Sequence, residues 1–227
     1  MNKIIVDKEN KIEFNDNIID LDIKVNELEI IIKGKVLINE FNIKENENLN
    51  LKLTIKPNST LIYNRFMKHS KMNNCVTINQ ENNSNITFNY SLIATDKCNL
   101  KIDSVLTGDN NTTSVRVRAV SEDDGKCTID GNAKIKEKIK NNELLESLRI
   151  LTLNNEDNII TPNLLVSSNE VAANHAATIS SIDKNYLFYL NSKGISDDSA
   201  IKLITEGFLL SNLDISESVR EQIKNII

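Results

Sequence analysis

The chain has no tryptophan, only two prolines (Pro57 and Pro162) and only three cysteines in 227 residues. Cys75, Cys98 and Cys127 are an odd number at wide spacing without a Cys-x-x-Cys pair, which excludes a disulfide framework and a local cluster motif. No apolar run approaches the roughly 20 residues needed to cross a bilayer. The opening Met-Asn-Lys-Ile-Ile-Val-Asp-Lys turns charged too early for a secretory signal. The net charge is −5, and acids and bases are interspersed, so no basic stripe awaits a phosphate backbone. These absences read as a cytoplasmic protein with neither a nucleic-acid nor a membrane partner. Sequons such as Asn85-Ile-Thr are then chance products of an Asn-rich chain.

What is present is enough apolar residue, 40%, to build one sizeable core, with room for a small appendage. Up to about residue 183 its period is two. Leu49, Leu51, Leu53 and Ile55 alternate with Asn50, Lys52 and Thr54, and Val115, Val117 and Ala119 alternate with Arg116 and Arg118. Shorter alternations at Leu21-Ile23-Val25, Leu28-Ile30-Ile32, Ile86-Phe88-Tyr90, Leu100-Ile102, Cys127-Ile129 and Ala133-Ile135 are separated by breaks such as Gly108-Asp109-Asn110 and Asp124-Gly125. Many short strands of this kind form a sandwich, a barrel or a β-solenoid, and no fixed period compels the last. Scarce proline and Asn-rich turns suit a solenoid, because stacked coils bury one apolar face and Asn tolerates left-handed turns.

From Asp183 the spacing becomes helical. Ser196 is an N-cap followed by Asp197 and Asp198, and Ala200, Ile201, Ile204 and Phe208 recur on one face, which predicts a helix over 197–210. A second helix is predicted from Ser216, with Val219, Ile223 and Ile226 in phase. Helices this short must pack on something.

Between Glu146 and Phe208 the chain carries a run of recognisable segments. They are Ser147-Leu148-Arg149-Ile150-Leu151, Thr161-Pro162-Asn163-Leu164-Leu165-Val166, His175-Ala176-Ala177-Thr178-Ile179, Leu187-Phe188-Tyr189-Leu190 and Gly194-Ile195-Ser196, then Ala200 with Gly207-Phe208. Their order, and the thirteen residues from Pro162 to His175, resemble the C-terminal signature of the SufB/SufD family, the scaffolds of iron–sulfur cluster assembly. The chain looks like a short SufD-like member.

The resemblance implies a mainly β fold: a right-handed parallel β-helix over 1–183 with a small α-helical segment over 184–227. It implies a non-catalytic scaffold subunit that dimerises through its β-helix, with itself or with a SufB-like paralogue, and docks a SufC-like ABC ATPase through the helical segment. The chain has no Gly-x-x-x-x-Gly-Lys-Ser/Thr loop, so nucleotide would bind the partner. His175 corresponds to the family's interface histidine, a candidate ligand for a transient iron–sulfur cluster at a dimer interface; imidazole on iron suits a cluster that must be released. The competing reading is a histidine that packs or caps a strand edge. Tyr189, Gly194, Ile195, Ile201, Ile204 and Phe208 are the candidate ATPase contacts. The pattern departs from relatives at several positions. Ala176 stands where SufB-type members carry glutamate, the SufB-type cysteine position falls near Leu145, Ala173 stands where some SufD-type members carry cysteine, and Lys193 replaces arginine.

The remaining chemistry-bearing residues are expected to be structural. The three cysteines could stack a coil apart or serve as small core hydrophobes. His69 is expected in a solvated loop. Tyr186, Phe188 and Tyr189 are expected to plug the last coil, Phe188 above all. The alternative function, a secreted-type β-solenoid or β-sandwich binding or cleaving polysaccharide, needs paired carboxylates; Asp123 and Asp124 are adjacent and would face opposite sides of a strand.

Overall fold

Period-two segments pair with one another along the whole β region of the computed structural model, which describes residues 2–153 and 157–227. The strands are β1 (Asn2–Val6), β2 (Lys11–Ile23), β3 (Glu27–Ile55), β4 (Thr60–Gln80), β5 (Asn85–Ala94), β6 (Lys97–Leu106), β7 (Thr112–Ser121), β8 (Lys126–Ile135), β9 (Asn142–Thr152), β10 (Ile159–Val166) and β11 (Val171–Ser181). They pair in parallel. The long strands β3 and β4 turn a corner and serve two faces. Their first halves lead into the stack β5, β7, β9, β11, and their second halves into β6, β8, β10. This is a parallel β-helix, so of the three architectures left open by the pattern the solenoid is the one formed.

The missing fixed period has a simple cause. Asn64 stacks on Asn89 at a separation of 25 residues, whereas the Cys127 amide bonds the Asn158 side chain at 31. Coils lengthen along the molecule by growing their turns, so inward positions repeat in space without repeating evenly in sequence. The turns use left-handed backbone: Asn83, Asn110 and Asn141 have φ of 55°, 59° and 53°. Asn donates to Asn at the next coil, 2.9 Å from Asn110 to Asn83 and 3.1 Å from Asn141 to Asn110. A short side chain that hydrogen-bonds locally is what such a position favours.

Inward side chains form columns in register. One runs Ile19, Ile38, Tyr63, Phe88, Val115, Glu146, His175. Five members are apolar or aromatic and buried, Tyr63 and Phe88 meeting edge to face at 5.5 Å. The last two are not apolar, and the column therefore ends in a carboxylate and an imidazole.

Beyond β11 come α1 (Lys184–Ser192), α2 (Asp197–Leu210) and α3 (Glu217–Lys224). The two helices expected from 197 and from Ser216 are present, and the Ser196 side chain caps α2 at the Ser199 amide. Helices α2 and α3 lie on the outer face of the first stack, where Leu209, Leu210, Leu213, Val219 and Ile223 bury Phe66, Ile93, Val120 and Leu151. Polar bonds hold this seam. Ser91 Oγ donates to the Leu209 carbonyl at 2.9 Å, and Asn64 exchanges bonds of 2.8 and 3.0 Å with the Asp214 carbonyl and amide. Helix α1 buries no residue. The expected aromatic plug is therefore corrected: Phe188 is 76% exposed, and Tyr186 and Tyr189 also face solvent. A nine-residue helix seats Leu187 and Leu190 partly inward, and its period turns the intervening aromatics out. The last coil is left unsealed, with Leu164, Leu165, Val166 and Ile179 exposed. Among the described residues no helix is long and apolar enough to cross a membrane.

Candidate functional site

His175 sits on β11, the terminal strand of its stack, opposite Glu146 of β9. Alternation in β9 sends Leu144, Glu146, Leu148 and Ile150 inward, so Glu146 is an acid on an apolar face and is 1% exposed. Room for it comes from across the barrel. Gly131 of β8 continues the column Leu51, Val76, Ile102. A Cβ there would lie 2.6 Å from Leu148 Cδ1 and 2.8 Å from Glu146 Oε1, so glycine is what leaves space for the carboxylate.

Glu146 Oε2 lies 3.3 Å from His175 Nε2. Neither carboxylate oxygen has a hydrogen-bond donor, and Nε2 also has no hydrogen-bond partner. Burial, joined by the negative charge of Asp103, pushes the Glu146 carboxyl up to about 7, while burial lowers the His175 imidazole. The pair thus resists becoming an ion pair. Two lone-pair-bearing groups converge on one spot, an arrangement suited to receiving a proton or a cation. The sequence reading located His175 but passed over Glu146 by aligning the upstream position on Leu145. The signal was there: an acid at an inward position of an alternating strand.

A second polar cluster lies in the interior at the corner of β3 and β4. Arg65, fully buried, approaches Glu47 at 2.7 Å and Glu40 at 3.3 Å, and Tyr63 Oη donates to Glu40 at 2.6 Å. His69 belongs here rather than in a solvated loop. It is buried at the corner of β4, with Nδ1 3.2 Å from the Lys44 carbonyl and Nε2 3.6 Å from Glu47. Its flanking Lys68 and Ser70 imitate a loop in sequence, but the long strand bends there and turns the imidazole inward. Burial pushes His69 down to about 4. At Glu47 burial opposes the charge, but Arg65 and Lys44 outweigh it and hold the carboxyl at about 2. The buried carboxylates here face Arg65 as an internal counter-charge, although Glu40 Oε1, Arg65 Nη1 and His69 Nε2 have no hydrogen-bond partner.

The cysteines divide. Cys98 and Cys127 are register partners on β6 and β8, both buried, and burial raises both thiols, Cys98 to about 12. They are inert core residues. Cys75 faces the other way, beside Lys101. Among the described residues no three His, Cys, Asp or Glu side chains gather as a metal site.

Of the candidate partner contacts, Tyr189 is exposed with Lys193 over its ring at 5.7 Å. Gly194 ends α1 at φ 84° in open space. Ile195, Ile201 and Ile204 are half-buried. Phe208 is turned toward the β-helix, with the guanidinium groups of Arg118 and Arg149 at 5.4 and 5.6 Å from its ring and its carbonyl bonded by Arg118 at 2.8 Å. The structure thus separates an outward α1 surface from an anchored α2.

Residues 47–208 match a family model described as SUF system FeS cluster assembly, SufBD core domain. The match begins inside β3 and runs through α1 to Phe208 near the end of α2. The iron-sulfur cluster assembly protein SufD of Bacillus subtilis is 38% identical over 69 residues, covering 29% of this chain and 16% of that protein. An iron-sulfur cluster assembly SufBD family protein of Staphylococcus saprophyticus is 30% identical over 101 residues, 44% of this chain and 22% of that one. The matched stretch spans less than a quarter of either relative's length.

Proposed function

The chain belongs to the SufB/SufD family of iron–sulfur cluster assembly proteins, and from that membership we propose that it is a non-catalytic scaffold subunit of a SUF-type assembly complex. It receives a SufC-like ABC ATPase on its C-terminal helices and pairs, with itself or a SufB-like paralogue, through the open end of its β-helix. The iron–sulfur cluster is cargo, held transiently near His175 and passed on.

The observation that carries the reading is α1: a helix without a buried residue that presents Tyr186, Phe188 and Tyr189 to solvent. Aromatic side chains bring large contact area and are enriched in protein interfaces. The unsealed terminal coil supports pairing in the same way, since β11 has an unpaired edge and Leu164, Leu165 and Val166 stand exposed beside it.

Co-purification with a SufC-like ABC ATPase tests the proposal. The full chain is expected to retain the ATPase, and Phe188→Ala with Tyr189→Ala to lose it. A well-folded chain that never retains the ATPase ends the scaffold reading.

A further inference from the structure

Outward charges on this solenoid are commonly matched from one coil to the next. Glu29 meets both Lys11 and Lys52, Lys33 reaches Glu13 at 2.8 Å and Lys56 reaches Glu81 at 2.6 Å. Of the five arginines, Arg65 faces Glu40 and Glu47, and Arg220 lies 3.4 Å from Glu217. The others, Arg116, Arg118 and Arg149, share the outer face of β7 and β9 and form no ion pair among the described residues. Arg118 stands in register with Arg149, so two cations are opposed where this fold elsewhere opposes unlike charges. The remaining register neighbours are Asn89, Ser91, Ser147 and Thr178, none of them acidic. Burial, joined by the charges of Arg149 and Arg116, lowers the Arg118 guanidinium. Arg118 has a structural role, since it donates to the Phe208 carbonyl and to Ser211 at the end of α2. Arg116 and Arg149 stay exposed, Arg149 with its guanidinium 5.6 Å from the Phe208 ring.

We propose that Arg116, Arg118 and Arg149 are the basic rim of the ATPase-docking surface and receive carboxylates of the docked ATPase. The proposal rests on the scaffold reading for the identity of the partner and on the arginine cluster for the chemistry of the contact. Position supports it. Arg149 is in register with Thr178, β11 runs on from there through Ser181 into α1, and α1 lies against α2, whose Phe208 touches Arg149. The cations therefore border the helix that turns Tyr186, Phe188 and Tyr189 to solvent. An aromatic centre with a polar, charged rim is the ordinary anatomy of a protein interface. Charge supports it as well: on a chain of net charge −5, a guanidinium cluster without acids attracts an acidic surface and turns away a basic one. The planar fork of arginine takes a carboxylate in two parallel bonds, which adds direction to the attraction. Arg118, held by the Phe208 carbonyl and Ser211, ties this rim to α2. The aromatic face thus supplies contact area, and the arginines select a partner of the right charge.

Binding kinetics between the full chain and a purified SufC-like ABC ATPase test this, at about 0.05 M and about 0.5 M salt. Association with the wild type is expected to slow by roughly tenfold or more at the higher salt. Arg116→Glu combined with Arg149→Glu is expected to weaken binding by roughly tenfold or more and to flatten the salt dependence. Lys134→Glu, on the outer face of β8, is expected to change neither. Thermal melting shows that each variant is folded. The double variant is expected to melt no lower than the wild type, because Arg149→Glu sets a carboxylate in register with Arg118. Arg116→Glu alone, at an exposed side chain, repeats the test if the double variant melts lower. Wild-type-like binding and salt dependence in the folded reversal variants overturn the inference and leave the scaffold reading standing. A folded wild type that binds no ATPase overturns both, and that outcome is told apart because it needs no substitution.

Discussion

Arg65 Nη2 lies 2.7 Å from Glu47 Oε2, with the Arg65 side chain fully buried and that of Glu47 6% exposed. Truncating Arg65 to Ala leaves Glu47 and Glu40 buried without their cation. The expected loss is about 3–5 kcal/mol, read from urea denaturation.

His69 makes acid stability specific. Its folded value, about 4, is below the ordinary 6.5, so the folded state binds fewer protons than the unfolded one in that window. This group's contribution is full above pH 6.5 and is lost as pH drops toward 4, by on the order of 3 kcal/mol, while Glu146, pushed up to about 7, contributes in the opposite sense over the same range. Glu47 adds its own loss only below 4.5, since its folded carboxyl is held at about 2. The stability of the wild type relative to His69→Asn is expected to fall between pH 6.5 and 4.5; a difference that does not change with pH refutes this assignment.

Gly131→Ala places a methyl group where Leu148 Cδ1 and Glu146 Oε1 already are. The expected cost is about 1–3 kcal/mol, and Gly131→Ala combined with Glu146→Ala should recover part of it in a double-mutant cycle.

Asn64→Ala removes the bonds of 2.8 and 3.0 Å that hold Asp214 between α2 and α3. About 1–3 kcal/mol is expected to be lost. Hydrogen exchange should quicken in α2 and α3 first, ahead of β5 and β7.

Phe188→Ala should leave stability within about 0.5 kcal/mol of wild type, because the residue is 76% exposed. A large destabilisation would mean that α1 is docked on the β-helix.

Much of the fold was legible because its signals are local. Leu49 to Ile55 alternates in sequence and faces inward by turns in space, and Ser196 with Asp197 and Asp198 starts a helix where it stands. His175 was found through its neighbours in sequence, from Ala176 to Ile179. Glu146 was missed because its meaning depends on His175, 29 residues on, and on Gly131 across the barrel. Phe188 misled because a dense aromatic segment reads as core until the helix phase is known, and His69 because polar neighbours hide an inward bend.

The sequence by itself determined the strand rhythm, the left-handed asparagine corners and the helices from Ser196 and Ser216, all set by residues within one turn or one strand of each other, together with the order of the family's segments. Tertiary structure decided which residues share a column. Register partners 17 residues apart in the first coil and 31 apart between Val115 and Glu146 leave no constant period, so only the parallel register could bring Glu146 under His175 and enclose Arg65 with Glu40 and Glu47.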